Sequence, residues 1–340
     1  MSTLDSLGRP LRDLRISVTD RCNMRCRYCM PREAFGPGHA FMARAELLSF
    51  EEIARVSEAL AAQGVSKLRL TGGEPLLRGG LERLVEMLAS IEGIEDLALT
   101  TNGLLLAARA RSLAAAGLSR VTVSLDSLDE ATLREMSDTP VAPARILAGI
   151  DAAGAAGLAP VKVNMVVRRG VNDRSVLEMA EHFRGRSETL RFIEYMDVGS
   201  TNGWRMQEVV PGEEILATIA SRWPLERLPV ARAGDVATRY RYLDGAGEIG
   251  LIGSVSEPFC GGCTRARLSA DGRLFTCLFA RSGHDLRALL RSGAPDAEIE
   301  ARLRGIWSAR SDRYSAERSA ATSDRADGAP AKVEMSYIGG

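Results

Sequence analysis

Between residues 14 and 196, short apolar, β-branched runs alternate with Ala-, Leu- and Glu-rich stretches of helical spacing. No other feature of the chain restricts its fold so strongly. The expected strands are LRISV (14–18), KLRLT (67–71), DLALT (96–100), RVTVSL (120–125), VKVNMVV (161–167) and TLRFIEYM (189–196). Helical stretches cover 49–64, 80–93 and 144–157, with Gly64, Gly93, Gly117 and Gly157 where C-caps belong. Strand–helix alternation predicts a parallel sheet with right-handed crossovers. Six such units are too few for a closed eight-stranded barrel, so the expected fold is α/β: a partial (βα)6 TIM-like barrel or an open sheet. In either form, reactive groups collect where the strands end.

The motifs obey that rule. Cys22, Cys26 and Cys29 follow the first strand, TGGEP (71–75) ends the second, and TTNG (100–103) ends the third. SLD (124–126) and MDVG (196–199) end the fourth and sixth. Beyond residue 230 the pattern changes. TRYRYL and EIGLIGSVS read as strands, and ARLSADGRLFTCLF (266–279) reads as a hairpin with a type I′ turn at Asp271-Gly272. Helical stretches follow at 284–292 and 296–310. Residues 308–332 are polar and poor in aromatics and read as a flexible linker. The expected division is a barrel over 1–230, a smaller C-terminal α+β domain over 231–310, and a flexible tail over 311–340.

Charge and composition exclude several classes. The 340-residue chain has zero formal net charge, which gives no whole-chain footprint for nucleic acid or a membrane surface. No apolar run of spanning length and no secretory leader is visible, so a cytoplasmic, reducing location is expected. Six cysteines in that setting point to metal binding before disulfides.

Those six form two triplets, Cys22/Cys26/Cys29 (C-x3-C-x2-C) and Cys260/Cys263/Cys277, with no cysteine left over. Structural zinc wants a fourth ligand. The only histidines are His39, His182 and His284, none flanking a triplet, although His284 lies seven residues beyond Cys277. Thiolates at short loop spacing suit iron–sulfur clusters. Three protein ligands would leave one position of each metal centre open, as catalytic centres do.

C-x3-C-x2-C with Tyr28 before its last cysteine, together with Gly72-Gly73-Glu74-Pro75, resembles the radical S-adenosylmethionine (SAM) superfamily. The second triplet, the interposed Arg265-Ala266-Arg267 and the terminal Gly339-Gly340 resemble the GTP 3′,8-cyclase family within it, over residues 13–340. That family carries out the first step of molybdenum cofactor biosynthesis. The resemblance implies two [4Fe-4S] clusters, SAM on the open iron of the first and the guanine of GTP on the open iron of the second. It implies that SAM yields methionine and a 5′-deoxyadenosyl radical, which takes the ribose 3′-hydrogen before C3′ attacks C8. It places SAM against Tyr28, Gly73, Ser124 and Met196. It places GTP against Arg15, Arg69, Thr100, Lys162, Arg265, Ala266 and Arg267, with Arg15, Arg265 and Arg267 in catalytic roles.

The residues support parts of this independently. Arg15 and Arg69 occupy alternate strand positions that can face the barrel interior, where an unpaired charge is costly unless an anion meets it. Arg265 and Arg267 alternate on one strand beside the second triplet. Most arginines of any chain are solvated surface charges, and Asn102 reads as a turn residue. Gly-Gly at residues 72–73 permits close backbone approach. No G-x4-GK[ST] loop is present, so a phosphate-cradling loop is excluded. The final Gly339-Gly340 has no side chains and could enter a narrow site, where it would meet the arginines near GTP. Expected partners are an electron donor of flavodoxin or ferredoxin type, a downstream cyclic pyranopterin monophosphate synthase and a second copy of the chain. The alternative is a radical SAM peptide-modifying enzyme with an auxiliary cluster.

Overall fold

The computed structural model describes residues 2–230, 232, 234–318 and 331–339. Its strands are β1 (Asp13–Ser17), β2 (Lys67–Thr71), β3 (Asp96–Thr101), β4 (Arg120–Ser124), β5 (Lys162–Val167) and β6 (Thr189–Glu194). After these come β7 (Leu225–Arg227), β8 (Thr238–Tyr242), β9 (Glu248–Ile252), β10 (Arg265–Leu268), β11 (Arg273–Phe275) and β12 (His284–Asp285). All belong to one sheet in the order β12-β11-β10-β1-β2-β3-β4-β5-β6-β9-β8-β7. The six expected strands are all present and pair in parallel in chain order.

The surprise lies at the edges. β10 pairs in parallel with β1, and β9 in parallel with β6. The C-terminal segment therefore extends the barrel sheet on both sides to eight contiguous parallel strands. Among the described residues it builds no separate sheet.

Alternation within strands separates core from cavity. In β1, Leu14 and Ile16 are buried under the helices while Asp13 and Arg15 face the other way. The helices α1 (Phe50–Ala61), α2 (Leu81–Ala89), α3 (Leu106–Ala115), α4 (Glu130–Ser137), α5 (Pro143–Ala155) and α6 (Val176–Phe183) lie between these six strands. Helix α1 starts at a capping box: the Ser49 hydroxyl accepts from Glu52 N, and the Glu52 carboxylate accepts from Ser49 N. It buries Ile53, Val56 and Leu60, each contributing about 1.5–3 kcal/mol. Truncating Leu60 to Ala would cost about 2–5 kcal/mol. Gly117 and Gly157, one residue past the C-caps of α3 and α5, have φ of 103° and 81°. Helices α7 (Gly212–Ala220), α8 (Arg287–Arg291) and α9 (Asp296–Ser308) follow, with short helical turns at Tyr314–Glu317 and Met335–Ile338. No helix among the described residues is long and apolar enough to cross a membrane.

Two expectations are corrected. The β10–β11 hairpin exists, with Arg267 opposite Phe275 and Leu268 opposite Leu274. Its turn is not type I′, because Gly272 has a positive φ of 88° and Asp271 does not. Gly272 N donates to Ser269 O at 3.0 Å, so the turn closes one residue earlier, over Ser269–Gly272. The second correction concerns the flexible linker expected over 308–332. Its first part is packed: Arg310 is buried, Tyr314 stacks on Phe279 at 4.5 Å, and Arg318 pairs with Asp197 at 2.7 Å. Lys332, at its far end, reaches the same carboxylate at 2.6 Å. The charges that made this stretch look solvated are the groups that anchor it. Residues 319–330 lie outside the described residues.

Candidate active site

The curled sheet encloses a cavity of about 1330 Å³ that both cysteine triplets line. Such a volume exceeds the roughly 300–1,000 Å³ of an ordinary small-molecule pocket. There is room for two ligands.

At one end stands the loop after β1. Cys29 N and Met30 N donate to Cys26 O at 2.9 and 2.8 Å, which coils the loop around its cysteines. Arg25 braces it by donating to the carbonyls of Cys22 and Met24, both at 2.8 Å. Met24 N and the Asn102 side chain donate to Cys22 Sγ at 3.4 and 3.9 Å. The TGGEP loop packs directly on this one. A Cβ at Gly72 or Gly73 would collide with the backbone of Thr19 or Arg21, so the glycines allow two strand-end loops to touch. Gly73 N and Glu74 N donate to Thr19 O and Arg21 O, each at 2.8 Å.

Glu74 is buried and ties three loops together. It accepts from Thr101 Oγ1 at 2.7 Å, Asn102 N at 2.8 Å and Leu76 N at 3.0 Å. Burial nevertheless pushes its carboxyl up to about 7. Asp126 accepts from Tyr28 Oη and Val166 N, both at 2.9 Å, and burial raises it to about 6. Tyr28 is thereby fixed by a strand-end carboxylate. Ser124 and Met196 line the cavity nearby. Burial pushes the Cys22 thiol up to about 11, and holds Cys26 and Cys29 above their ordinary range as well.

The second triplet is gathered from two directions. Cys260–Gly262 form a 3-10 turn in which Cys263 N donates to Cys260 O at 3.2 Å. The hairpin returns Cys277 to the same cavity. Phe279 N and Arg265 Nη2 donate to the sulfurs of Cys277 and Cys263 at 3.5 and 3.2 Å. Burial opposes ionisation at Cys263, yet the guanidinium groups of Arg265 and Arg310 overcome it and bring the thiol down to about 7. Cys277 is pushed up to about 11 by burial.

Between the triplets lies a band of cations. Arg15 is in register with Arg69 on one side and Arg267 on the other. Arg69 Nη1 donates to Thr100 and Thr122, each at 3.1 Å. Arg191 Nε donates to Asn164 Oδ1 at 2.9 Å. Among the described residues, none of Arg15, Arg69, Lys162, Arg191, Arg265 and Arg267 forms an ion pair. Lys67 and Arg120, at the cavity's far end, do pair with Asp13 and Asp96. Burial lowers Arg69 and Arg267 to about 10, Arg191 to about 9 and Lys162 to about 7, and like charges add to the effect. The guanidinium groups stay protonated, and their burial without an ion pair among the described residues favours an anionic ligand.

The chain end enters the same space. Lys332 and Glu334 are tied to the 197–201 loop, where Glu334 accepts from Ser200 N at 2.9 Å and Thr201 Oγ1 at 3.0 Å. Ile338 is buried, and the Gly339 carbonyl accepts from Arg267 Nη1. Gly340 lies outside the described residues.

The surroundings of two residues are specific. Ala266 is fully buried in the hydrophobic core and does not line the cavity. Strand alternation sends its neighbours Arg265 and Arg267 inward and Ala266 outward. Asn102 is more than a turn residue, since it bridges Glu74, Asn23 and Cys22. Sequence reasoning missed Arg191, although a signal existed. Asp13-Leu14-Arg15, Lys67-Leu68-Arg69 and Thr189-Leu190-Arg191 open three strands with the same Leu-Arg step.

Comparison with known proteins agrees with the geometry. Residues 16–183 match the Radical SAM superfamily and residues 188–316 match Molybdenum Cofactor Synthesis C. A GTP 3′,8-cyclase of Acidothermus cellulolyticus is 57% identical, covering 99% of this chain and 98% of its own. One from Xanthomonas campestris pv. campestris is 52% identical, covering 99% of this chain and 97% of its own. Among solved structures, Streptococcus suis SuiB bound to S-adenosylmethionine shares the fold at TM-score 0.60 and 14% identity, over 86% of this chain and 68% of that one. The chain belongs to the radical SAM superfamily and, within it, to the GTP 3′,8-cyclase family.

Proposed function

We propose that this protein cyclises GTP to (8S)-3′,8-cyclo-7,8-dihydroguanosine 5′-triphosphate, the first step of molybdenum cofactor biosynthesis. SAM is consumed to methionine and 5′-deoxyadenosine. The observation that carries the reading is the band of six cations, without an ion pair among the described residues, between two cysteine triplets in one cavity. A nucleoside triphosphate supplies the compact negative charge that such a band lacks. A peptide substrate does not.

The donor sets fit iron–sulfur clusters. Buried thiols pushed up to about 11 at Cys22 and Cys277 ionise readily only against a metal's positive charge. Among the described residues, no three His, Cys, Asp or Glu side chains gather tightly enough to hold one metal ion. A cubane instead spreads its thiolates over separate irons. Cys22, Cys26 and Cys29 would hold one [4Fe-4S] cluster, and Cys260, Cys263 and Cys277 a second. When bound, the first cluster and SAM together supply one-electron reductive cleavage and hydrogen-atom abstraction.

The chain's own groups bind, orient and exclude water. Tyr28, Gly73, Ser124 and Met196 form the SAM wall, with Tyr28 held by Asp126. Arg15, Arg69, Lys162, Arg191, Arg265 and Arg267 grip the triphosphate and fix the ribose between the two ends. Thr100 and Thr122 set the Arg69 fork. The chain end, hydrogen-bonded through Gly339 to Arg267, covers the site. An external one-electron donor, a downstream synthase that takes the cyclised nucleotide and a homodimeric assembly complete the reading. Its test is anaerobic reconstitution with iron and sulfide, followed by SAM, GTP and dithionite. The expected result is 5′-deoxyadenosine formation that depends on GTP and is not supported by ATP. SAM cleavage indifferent to GTP would overturn the substrate assignment.

A further inference from the structure

Beside the second triplet lies a buried ionic group that the activity described above does not use, and of its members Arg310 reaches the cavity wall. Asp5, Arg9 and Arg310 are 6%, 3% and 4% exposed. They come from opposite ends of the chain. Asp5 opens a tight turn whose amides, Leu7 N and Arg9 N, both donate to its Oδ1 at 2.9 Å. Its Oδ2 accepts from Arg9 Nε at 2.6 Å and from Arg310 Nη1 at 3.2 Å. Arg310 follows α9 and stacks over Trp307 at 4.5 Å, while the Trp307 indole donates to Arg9 O at 3.1 Å.

Every strand of the triplet is held from this group. Arg9 Nη1 donates to Cys260 O at 2.8 Å, and Arg310 Nη1 donates to Cys263 O at 2.8 Å. Arg9 Nη1 also donates to Asp312 O at 2.8 Å. The Asp312 carboxylate accepts from Thr276, the neighbour of Cys277, at 2.6 Å. Among the described residues, Arg9 Nη2 and Arg310 Nε are buried without a hydrogen bond, though Arg310 Nε lies 3.4 Å from the Asp312 carboxylate. An apolar packing of the same shape would avoid that cost. A cluster of thiolates and sulfides beside them would use their charge.

We infer that Asp5, Arg9 and Arg310 are positioning residues for the metal centre on Cys260, Cys263 and Cys277. They fix both C-x2-C ligands by their carbonyls and set the centre's reduction potential by their charge. The inference rests on the reading that this triplet holds an iron–sulfur cluster. The guanidinium pair favours the reduced, more negative cluster, and Asp5 opposes it.

The test uses the full chain carrying C22A, C26A and C29A, so that only the second triplet can be loaded, with about four irons expected per chain. Potentiometric titration followed by EPR then reads one cluster. Arg310→Gln is expected to lower its potential and Asp5→Asn to raise it. Arg310→Lys, which keeps charge and loses the fork, holds the potential but changes the EPR line shape. A purely structural role would lose iron or thermal stability in both neutralised variants and move no potential in opposite directions. Equal or absent shifts in the loaded variants overturn the inference alone. If Arg310→Gln does not accumulate, the rise in Asp5→Asn decides. A C22A/C26A/C29A chain that binds no iron overturns the reading of the second triplet, and the inference with it.

Discussion

The two cysteine triplets share one cavity but not one environment. Around Cys22, Cys26 and Cys29 two buried carboxyls, Glu74 and Asp126, raised by burial to about 7 and 6, stand beside a single bracing guanidinium, Arg25. Around Cys260, Cys263 and Cys277 the guanidinium groups of Arg265, Arg267 and Arg310 outnumber the one nearby carboxylate, Asp312, and Cys263 falls to about 7 against the opposing push of burial. The contrast matches the ligands proposed for each end. SAM brings a sulfonium and an ammonium, which suit nearby carboxylates. GTP brings a triphosphate, which suits unpaired arginines. On the proposed reading the cationic ligand takes the carboxyl-lined pole, and the polyanion takes the cation band that runs from it to the second triplet.

The largest effects should come from the triplets themselves. Cys26→Ala is expected to abolish SAM cleavage, whereas Cys263→Ala leaves slow, GTP-independent cleavage and no cyclised product. Quantifying 5′-deoxyadenosine and nucleotide product in both variants checks this, and equal losses of both products would erase the distinction between the poles.

Next comes the cation band. Arg15→Met removes a charge-assisted contact worth about 1.5–3 kcal/mol, or about a 10- to 150-fold loss in kcat/KM for GTP. Arg15 has no ion-pair partner among the described residues, and burial with three neighbouring arginines holds its pKa down. The same variant should therefore raise the ligand-free Tm by about 1–2 °C. A fall in Tm would mean that Arg15 is satisfied in a way the fold does not reveal.

A smaller effect is expected from pH. Burial and neighbouring cations lower Lys162 to about 7 in the free protein. A bound triphosphate raises it again. Above pH 7, binding must therefore take up a proton, and GTP affinity falls as pH rises from 7 toward 10. Calorimetry in buffers of different ionisation enthalpy measures that uptake, and Lys162→Arg should flatten the dependence.

The smallest effect on chemistry should come from the chain end. Asp197→Asn weakens the anchor shared by Arg318, Lys332 and Tyr314. Faster amide exchange at Tyr337 and Ile338 is expected, with the iron content of the reconstituted chain unchanged.

The partition explains what could be read from the sequence. The six parallel strands and both triplets were visible because their signals are local: two-residue alternation, short cysteine spacing and glycine pairs. Arg191 was not, because its meaning appears only when three Leu-Arg strand openings are laid side by side. The β9 and β10 edge pairings escaped because parallel partners far apart in sequence leave no mark on either strand. The anchors Asp197–Lys332 and Asp5–Arg310 span 135 and 305 residues. Each of those charges alone looks like a solvated surface group, and this is why the stretch from 308 read as linker. The turn at Ser269–Gly272 was misjudged because Asp-Gly serves several hairpin turns, and only the backbone angle at Asp271 separates them.

The most direct measurement is competition by inorganic tripolyphosphate in the reconstituted enzyme. If the unpaired cations hold the triphosphate at one pole and SAM sits at the other, tripolyphosphate will raise the apparent KM for GTP and leave that for SAM unchanged. Inhibition competitive with SAM, or no inhibition at concentrations that saturate the cation band, would contradict the partition.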